Sequence, residues 1–518
     1  MNPTPRANLV WFVLLATFWA FYGLLGRDAW KGEEALALAP ILDWLNGSLS
    51  AWTTPAPLYT FLAGLLAKLT AGHVDAQNGA RLASGVFTVI ALLFTGLTAR
   101  SLFGAGFGTA ATLSLMGGLG LMLRAHALLP ETALLAAWSV LLYGISAGRA
   151  HVRQGGLAIG LALAALTLGL RGLPDLVAGL LVVLLPLFST NWCSREYRRA
   201  ASFGIALAGG LAIAGLGLFW AHDLLSGWLA WHGPGRYLPM RVTGGAYGEL
   251  PWFAWPLWPL AAWAIWHAHR RLPRTPELHP PLVALAVLLL VVLFPAWSRD
   301  GALLPVLLPL ALLAAFAVEH LRRGAAQAFY WFGVLCFLFF VLAFWVYFSA
   351  IEWGTPARLA ARMARLTPGY HAGAVDTGAV LLAGAATLVW LMAIPLFPRA
   401  KSRPVLVWAT GMGLSWILIA ALFLPWAEAG WGYRPLITSM ARHLPRGACL
   451  NTRVDAPMAV MLRYHLDPPS RPGCPWTLRL VTRKSNRAVE GSDAILLWEG
   501  YRPRYKSLIY RLERHAQD

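Results

Sequence analysis

Two adjacent carboxylates, Glu33 and Glu34, close the stretch Gly26-Arg27-Asp28-Ala29-Trp30-Lys31-Gly32-Glu33-Glu34, just after the first apolar helix. A third acid, Glu131, follows Pro130 at the head of another apolar run, Arg124-Ala125-His126-Ala127-Leu128-Leu129-Pro130-Glu131-Thr132. Only 23 of 518 residues are acidic, so acids at the mouths of apolar helices are candidates for chemistry. Such carboxylates can act as a general base and its partner, orienting a nucleophile or a cation. Plainer readings stand beside this one. Glu33 and Glu34 also complement a helix dipole, and Glu131 also suits a helix start led by proline. An acid opening an apolar span is nonetheless costly unless solvated or paired.

The elements that must position these acids are membrane helices. Apolar residues make up 58% of the chain, and mean hydropathy is +0.58. Runs of roughly 17 to 25 apolar residues recur, long enough to cross a hydrocarbon core. About thirteen spans are expected, centred near residues 17, 89, 114, 140, 163, 181, 212, 260, 289, 311, 338, 386 and 414. The net charge of +19 does not point to nucleic acid, because the cations cluster in alternate short loops. These are Arg149/Arg153, Arg195/Arg198/Arg199, Arg270/Arg271/Arg274, Arg322/Arg323 and Arg399/Lys401/Arg403. Loops of this kind stay in the cytoplasm. With Arg6 inside, an odd number of spans sends the chain after Trp426 outward, and Glu33, Glu34 and Glu131 share the outer face.

Three regions follow. Residues 1–427 form the membrane body, and residues 428–518 read as a small mixed α/β domain, with an alternating stretch at Ala494-Ile495-Leu496-Leu497-Trp498. The long outer loop 27–77 carries the acidic pair. Within it Glu33 to Leu45 is expected as a surface helix, and Pro57 to Leu69 as a second apolar helix too short to cross. The apolar stretch Leu9 to Leu25 lacks a small-x-small cleavage site and reads as a retained span. Of four cysteines, Cys449 and Cys474 fall in the exported tail. An oxidising compartment permits them to pair, and two free thiols are the alternative.

No metal-ligand set is recognisable. His126 lies near Glu131 and His73 two residues from Asp75, both readable as isolated polar loop residues. A divalent ion bridging Glu34 or Glu131 to a phosphate stays open. No phosphate-cradling loop or dinucleotide fingerprint is present, and Gly117-Gly118-Leu119-Gly120 is expected inside a span, where glycine permits close packing.

In their order along the chain these motifs resemble the GT-C membrane glycosyltransferases, in particular bacterial lipid A aminoarabinose transferases and protein O-mannosyltransferases. Gly32-Glu33-Glu34-Ala35-Leu36 occupies the place of that family's Asp-Glu pair. Pro55-Ala56-Pro57-Leu58-Tyr59 matches its Lys-Pro-Pro-Leu-Tyr-like stretch, and Pro130-Glu131 its acid before the fourth span. Leu170-Arg171-Gly172-Leu173-Pro174 is similar to its Thr-Lys-Gly-Pro-like turn, and Leu250-Pro251-Trp252 to its Leu-Pro-Trp. Ser298-Arg299-Asp300 leads into a Pro305/Pro309 span. Two departures are evident: Glu33 replaces an Asp, and Pro55 replaces the lysine that contacts lipid phosphate.

The resemblance implies inverting transfer of a sugar from a polyprenyl-phosphate carrier to a lipid, glycan or protein acceptor at the periplasmic face of a bacterial inner membrane. In that reading Glu33 is the base, with Glu34 close behind and Glu131 as partner. Arg171, Arg236, Arg241 and Arg299 are candidates to hold the departing phosphate, with Tyr59 and Tyr237 as hydroxyl donors. Each arginine has an interfacial anchor as its plain alternative. Competing functions are a lipid-linked glycan polymerase or ligase, and a transporter or flippase of lipid-linked sugars. The latter is expected to show mid-span charges and repeated halves, neither of which is evident.

Overall fold

The computed structural model describes residues 5–233, 245–293, 303–397, 400–469, 473–482 and 494–515. Its helices are α1 (Pro5–Phe21), α2 (Gly32–Leu45), α3 (Pro57–Leu69), α4 (Ala76–Phe103), α5 (Phe107–Met116), α6 (Leu119–Ala125), α7 (Glu131–Ala147) and α8 (Val152–Ala164). There follow α9 (Leu173–Leu184), α10 (Arg195–Ala221), α11 (Leu225–His232), α12 (Gly245–Phe253), α13 (Leu257–Ala268), α14 (His279–Val292) and α15 (Leu303–His320). The last are α16 (Arg323–Glu352), α17 (Ala357–Leu366), α18 (Thr377–Leu396), α19 (Arg403–Leu422), α20 (Leu424–Trp431), α21 (Arg434–Ala441) and α22 (Ala456–His465).

Each of the thirteen expected span centres falls inside one of these helices. Among the described residues seven helices are long and apolar enough to cross a membrane, and α3, α5, α7, α9 and α14 belong to shorter apolar segments. The chain is a multi-pass membrane protein. The helix expected over Glu33 to Leu45 is α2, with both acids in its first turn. The short apolar helix is α3, at 13 residues only about 20 Å long.

The chain divides into two compact units. The first comprises Met1–Leu24, Trp44–Phe339 and Ala386–Trp416, and the second Leu25–Asp43, Phe340–Ala385 and Ile417–Asp518. In the first, α7, α8 and α10 pack through glycines: a Cβ at Gly155 of α8 would collide with the backbone of Gly148. The run Gly117-Gly118 lies at a break between α5 and α6 rather than within a continuous span. The interruption frees the Gly117 carbonyl to accept the Trp408 indole N–H at 2.9 Å. Buried backbone left over by one broken helix is thereby satisfied by another.

The second unit carries the sheet β1 (Leu450–Arg453), β2 (Trp476–Thr482), β3 (Ala494–Gly500) and β4 (Leu508–His515), in the order β1-β2-β4-β3. The parallel pair β1/β2 is connected through α22, as parallel strands require a crossover. The pairs β2/β4 and β4/β3 are antiparallel. Leu450, Leu478, Tyr510 and Leu512 from the sheet are buried, as are Met458, Met461 and Leu462 of α22. Cys449 and Cys474 form a disulfide that brackets β1 and α22, with Cα atoms 5.3 Å apart. Closing this loop restricts the unfolded chain by roughly 3 kcal/mol.

Candidate active site

In the first unit the acid Glu131 opens α7, and the loop before it is pinned from several sides. His126 Nε2 lies 2.8 Å from the Trp19 carbonyl, and its ring stacks on Trp416 at 3.9 Å. Ser84 Oγ donates to the Ala127 carbonyl at 2.7 Å and shares a 2.8 Å hydrogen bond with the Tyr59 hydroxyl. Tyr59, considered above as a hydroxyl donor to phosphate, is buried, and through Ser84 it supports the loop that presents Glu131. His126 is likewise a core residue, and Asp75 caps α4 by accepting the Asn78 N–H at 2.8 Å.

Arg124, the last-turn cation of α6, is buried and lies 3.7 Å from Glu131 through Nη2 and Oε1. The other Glu131 oxygen, Oε2, is buried with no hydrogen-bond partner among the described residues. Arg171 sits on the turn between a π-helical segment, Ala165–Gly169, and α9. Leu170 is far from helical values at φ −133°, ψ −114°, and Gly172 follows at φ +76°. Glycine alone takes that last conformation freely. The guanidinium of Arg171 pairs with Asp175 one helical turn on, Nε to Oδ2 at 3.4 Å, and Asp175 Oδ1 accepts the Trp138 indole at 3.3 Å.

Glu131 and Arg171 meet across one cavity of about 140 Å³, whose other walls are Pro55, Ala56, Pro130, Leu134 and Leu170. Pro55 thus lines the cavity, at the position where the resembled family has its lysine, and contributes no charge. The cations of this neighbourhood are Arg171 and Arg124. Arg236, Tyr237, Arg241 and Arg299 lie outside the described residues. No group of three His, Cys, Asp or Glu side chains stands together as a ligand set among the described residues.

In the second unit the two neighbouring acids have different surroundings. The Glu34 carboxylate is buried in a two-point pair with Arg27, at 2.7 and 3.1 Å, and accepts the Trp30 N–H at 3.0 Å. Such forked, charge-assisted pairing fixes geometry. Glu34 holds the loop together, while Glu33 is exposed.

The same loop is tied further into its unit by Asp28. Its Oδ2 accepts the Tyr433 and Arg434 N–H groups at 2.9 and 2.8 Å, and Oδ1 lies 3.1 Å from His465 Nε2. Burial alone would raise this carboxyl, but the His465 imidazole and the backbone donors reverse the sign and hold it below the usual carboxylate range. Glu428 has the opposite fate. Burial, reinforced by the neighbouring Asp28 charge, raises it despite bonds from the Trp30 indole and the Asp28 N–H, both 3.0 Å.

Arg27, Asp28, Arg124 and Asp175 were not singled out from sequence. The Arg171–Asp175 spacing of four residues was the one readable signal. The other three partnerships join positions that the linear pattern does not relate.

No protein-family model matches the sequence, and no curated protein sequence does. Solved structures do match the fold. An ArnT from Cupriavidus metallidurans bound to undecaprenyl phosphate is 17% identical, with 98% of each chain covered and a TM-score of 0.69. The same protein in the apo state gives 15% identity, 98% coverage of each chain and a TM-score of 0.66. An Archaeoglobus fulgidus oligosaccharyltransferase tethered to an acceptor peptide is much less alike, at 11% identity and TM-score 0.42, covering 89% of this chain and 63% of its own. At these identities the likeness concerns the fold alone: the many-helix membrane architecture with a small C-terminal sheet is the fold of the two ArnT structures.

Proposed function

We propose that this chain is a glycosyltransferase that moves a sugar from a polyprenyl-phosphate carrier to a lipid or glycan acceptor, with a protein acceptor as the variant. The observation that carries this reading is the cavity shared by Glu131 and Arg171, within a fold matched over 98% of its length by a protein bound to undecaprenyl phosphate. A carrier phosphate needs fixed cations as its charge develops, and donors already aimed at the oxygen lower the barrier most. Arg171, on its glycine turn and tethered by Asp175, meets that requirement. Glu131 lines the same cavity and is itself paired with Arg124 at 3.7 Å.

The reaction is a single in-line displacement. The acceptor oxygen attacks the anomeric carbon, the bond from that carbon to the phosphate oxygen breaks, and the electron pair leaves with the polyprenyl phosphate. The acceptor proton passes to a carboxylate, and the anomeric configuration inverts. Glu33 is the assigned base, because it is the exposed member of the pair, whereas Glu34 is committed to Arg27. The thirteen-span topology, with a cytoplasmic N-terminus and the sheet-bearing tail in the periplasm of a bacterial inner membrane, belongs to the same proposal.

Glu33→Gln tests the assignment, since it removes the proton acceptor at constant shape. Turnover of polyprenyl-phosphate-linked sugar by the purified variant is expected to fall by about 10²- to 10⁴-fold with unchanged membrane expression. Near-normal turnover removes Glu33 as the base.

A further inference from the structure

Helix α17 reads Ala-Arg-Leu-Ala-Ala-Arg-Met-Ala-Arg-Leu and lies in the chain between the apolar helices α16 and α18. Arg358, Arg362 and Arg365 are spaced i, i+4, i+7, and Leu359, Met363 and Leu366 repeat that spacing one residue later. The helical period therefore lays a basic stripe beside an apolar one. Met363 is buried, Leu359 and Leu366 are half-buried, and the three arginines are exposed. A short helix of this kind joining two spans suits a membrane surface, with cations toward headgroups.

Beside α17 lies a cavity of about 270 Å³, walled by Ile351, Met363, Leu366 and Phe423 and bearing two cations, Arg362 and Arg504. None of its lining residues is acidic. Arg504 comes from the turn between β3 and β4, where two arginines have different roles. Arg502 is buried and donates to the Trp30 and Trp431 carbonyls at 3.3 and 3.0 Å, with its guanidinium over Tyr433 and Tyr505. Arg504 lies over Trp426 and Trp431, 5.1 and 4.7 Å from the ring centres. Its Nε is buried without a hydrogen-bond partner among the described residues. Neither Arg504 nor Arg362 forms an ion pair there.

A guanidinium set against two indole rings is fixed in place by their π faces, and its N–H groups match phosphate oxygens. The apolar wall next to it matches hydrocarbon. We propose that this cavity binds an anionic amphiphile, with a phosphate headgroup between Arg362 and Arg504 and an acyl chain along Ile351, Leu366 and Phe423. The site stands apart from the transfer reading: it uses no residue assigned there and requires no turnover.

The test is binding to the purified full chain in detergent, read by native mass spectrometry. The probes are dioleoyl phosphatidic acid, dioleoyl phosphatidylcholine and inorganic phosphate. Phosphatidic acid is expected to bind at least about tenfold more tightly than phosphatidylcholine. Arg362→Ala and Arg504→Ala are each expected to remove roughly tenfold of that affinity, the worth of one charge-assisted pairing. Arg358→Ala, on the same stripe but outside the cavity, is expected to change nothing. Should Arg504→Ala unfold the tail, Arg362→Glu on the exposed stripe carries the test alone. Equal affinity for the two lipids, an equal loss with Arg358→Ala, or displacement of the lipid by equimolar inorganic phosphate overturns the proposal.

Discussion

In the proposed reaction Arg171 is the residue on which donor binding turns. Its Nε is spoken for by Asp175, so the fork is oriented by its partner while the side chain lines the cavity. Arg171→Ala is expected to lower kcat/KM for the polyprenyl-phosphate donor by roughly 10- to 100-fold. Arg171→Lys should restore little, since an ammonium does not reproduce a planar fork. Steady-state kinetics on the donor check both, and unchanged kinetics return Arg171 to an anchoring role. At this scale the sequence was partly legible. Glu131 and Arg171 stood out because charge at the mouth of an apolar run is rare, and the structure brings these two to one cavity. Their partners Arg124 and Asp175 were hidden, because a pairing made by tertiary packing leaves no periodic trace. In sequence only the resemblance favours Glu33 over Glu34, and it is Arg27, seven residues back, that separates a buried, paired acid from an exposed one.

Among the elements, the turn 169–172 and the loop 27–34 matter most. Gly172 holds φ +76°, and a Cβ there would lie 3.1 Å from the His232 Cβ. His232 in turn lies 3.2 Å from the Thr54 carbonyl, next to Pro55 of the cavity wall. Gly172→Ala is expected to cost about 1–3 kcal/mol of stability and to raise the donor KM by displacing Arg171. Thermal melting and donor kinetics together check this, and unaltered values for both contradict it.

The loop 27–34 makes a pH prediction. Asp28 is held low, so its stabilising contribution is complete above the unfolded carboxyl value near 3.8 and is lost as pH falls through the lower folded value. Glu428 is held high, so its contribution is complete below 4.5 and is lost as pH rises through the folded value. At pH 7, Asp28→Asn should destabilise the second unit by roughly 3 kcal/mol, through weakened charge-assisted bonds. Glu428→Gln, which keeps an acceptor but removes the buried charge beside Asp28, should raise the melting temperature at pH 7 and lose that advantage near pH 4. Melting curves across this range decide. A destabilising Glu428→Gln at pH 7 contradicts the assignment.

For the whole molecule, hydropathy period and loop charge were enough to read a multi-pass helical protein, and every expected span centre lies in a helix. The alternating stretch at residue 494 is indeed a strand, β3, at the edge of the small sheet. What the pattern did not convey is discontinuity along the chain. The segment Leu25–Asp43 belongs with the tail-bearing unit rather than with the helices that flank it in sequence. A hydropathy window sees neighbours along the chain, whereas Asp28 and Glu34 are satisfied through contacts such as Tyr433 and Arg27. The break at Gly117 escaped for the same reason, since its remedy is an indole 291 residues away.

The central claim is that a carboxylate drives sugar transfer from a lipid phosphate. It is tested most directly by mass spectrometry of envelope lipids and glycans from cells lacking this chain, complemented with the wild type or with Glu33→Gln. The account predicts a polyprenyl-phosphate-linked sugar that accumulates in the deletion, one envelope sugar that disappears with it, and reversal by the wild type alone. An unchanged carrier-lipid profile, or full rescue by Glu33→Gln, would contradict it.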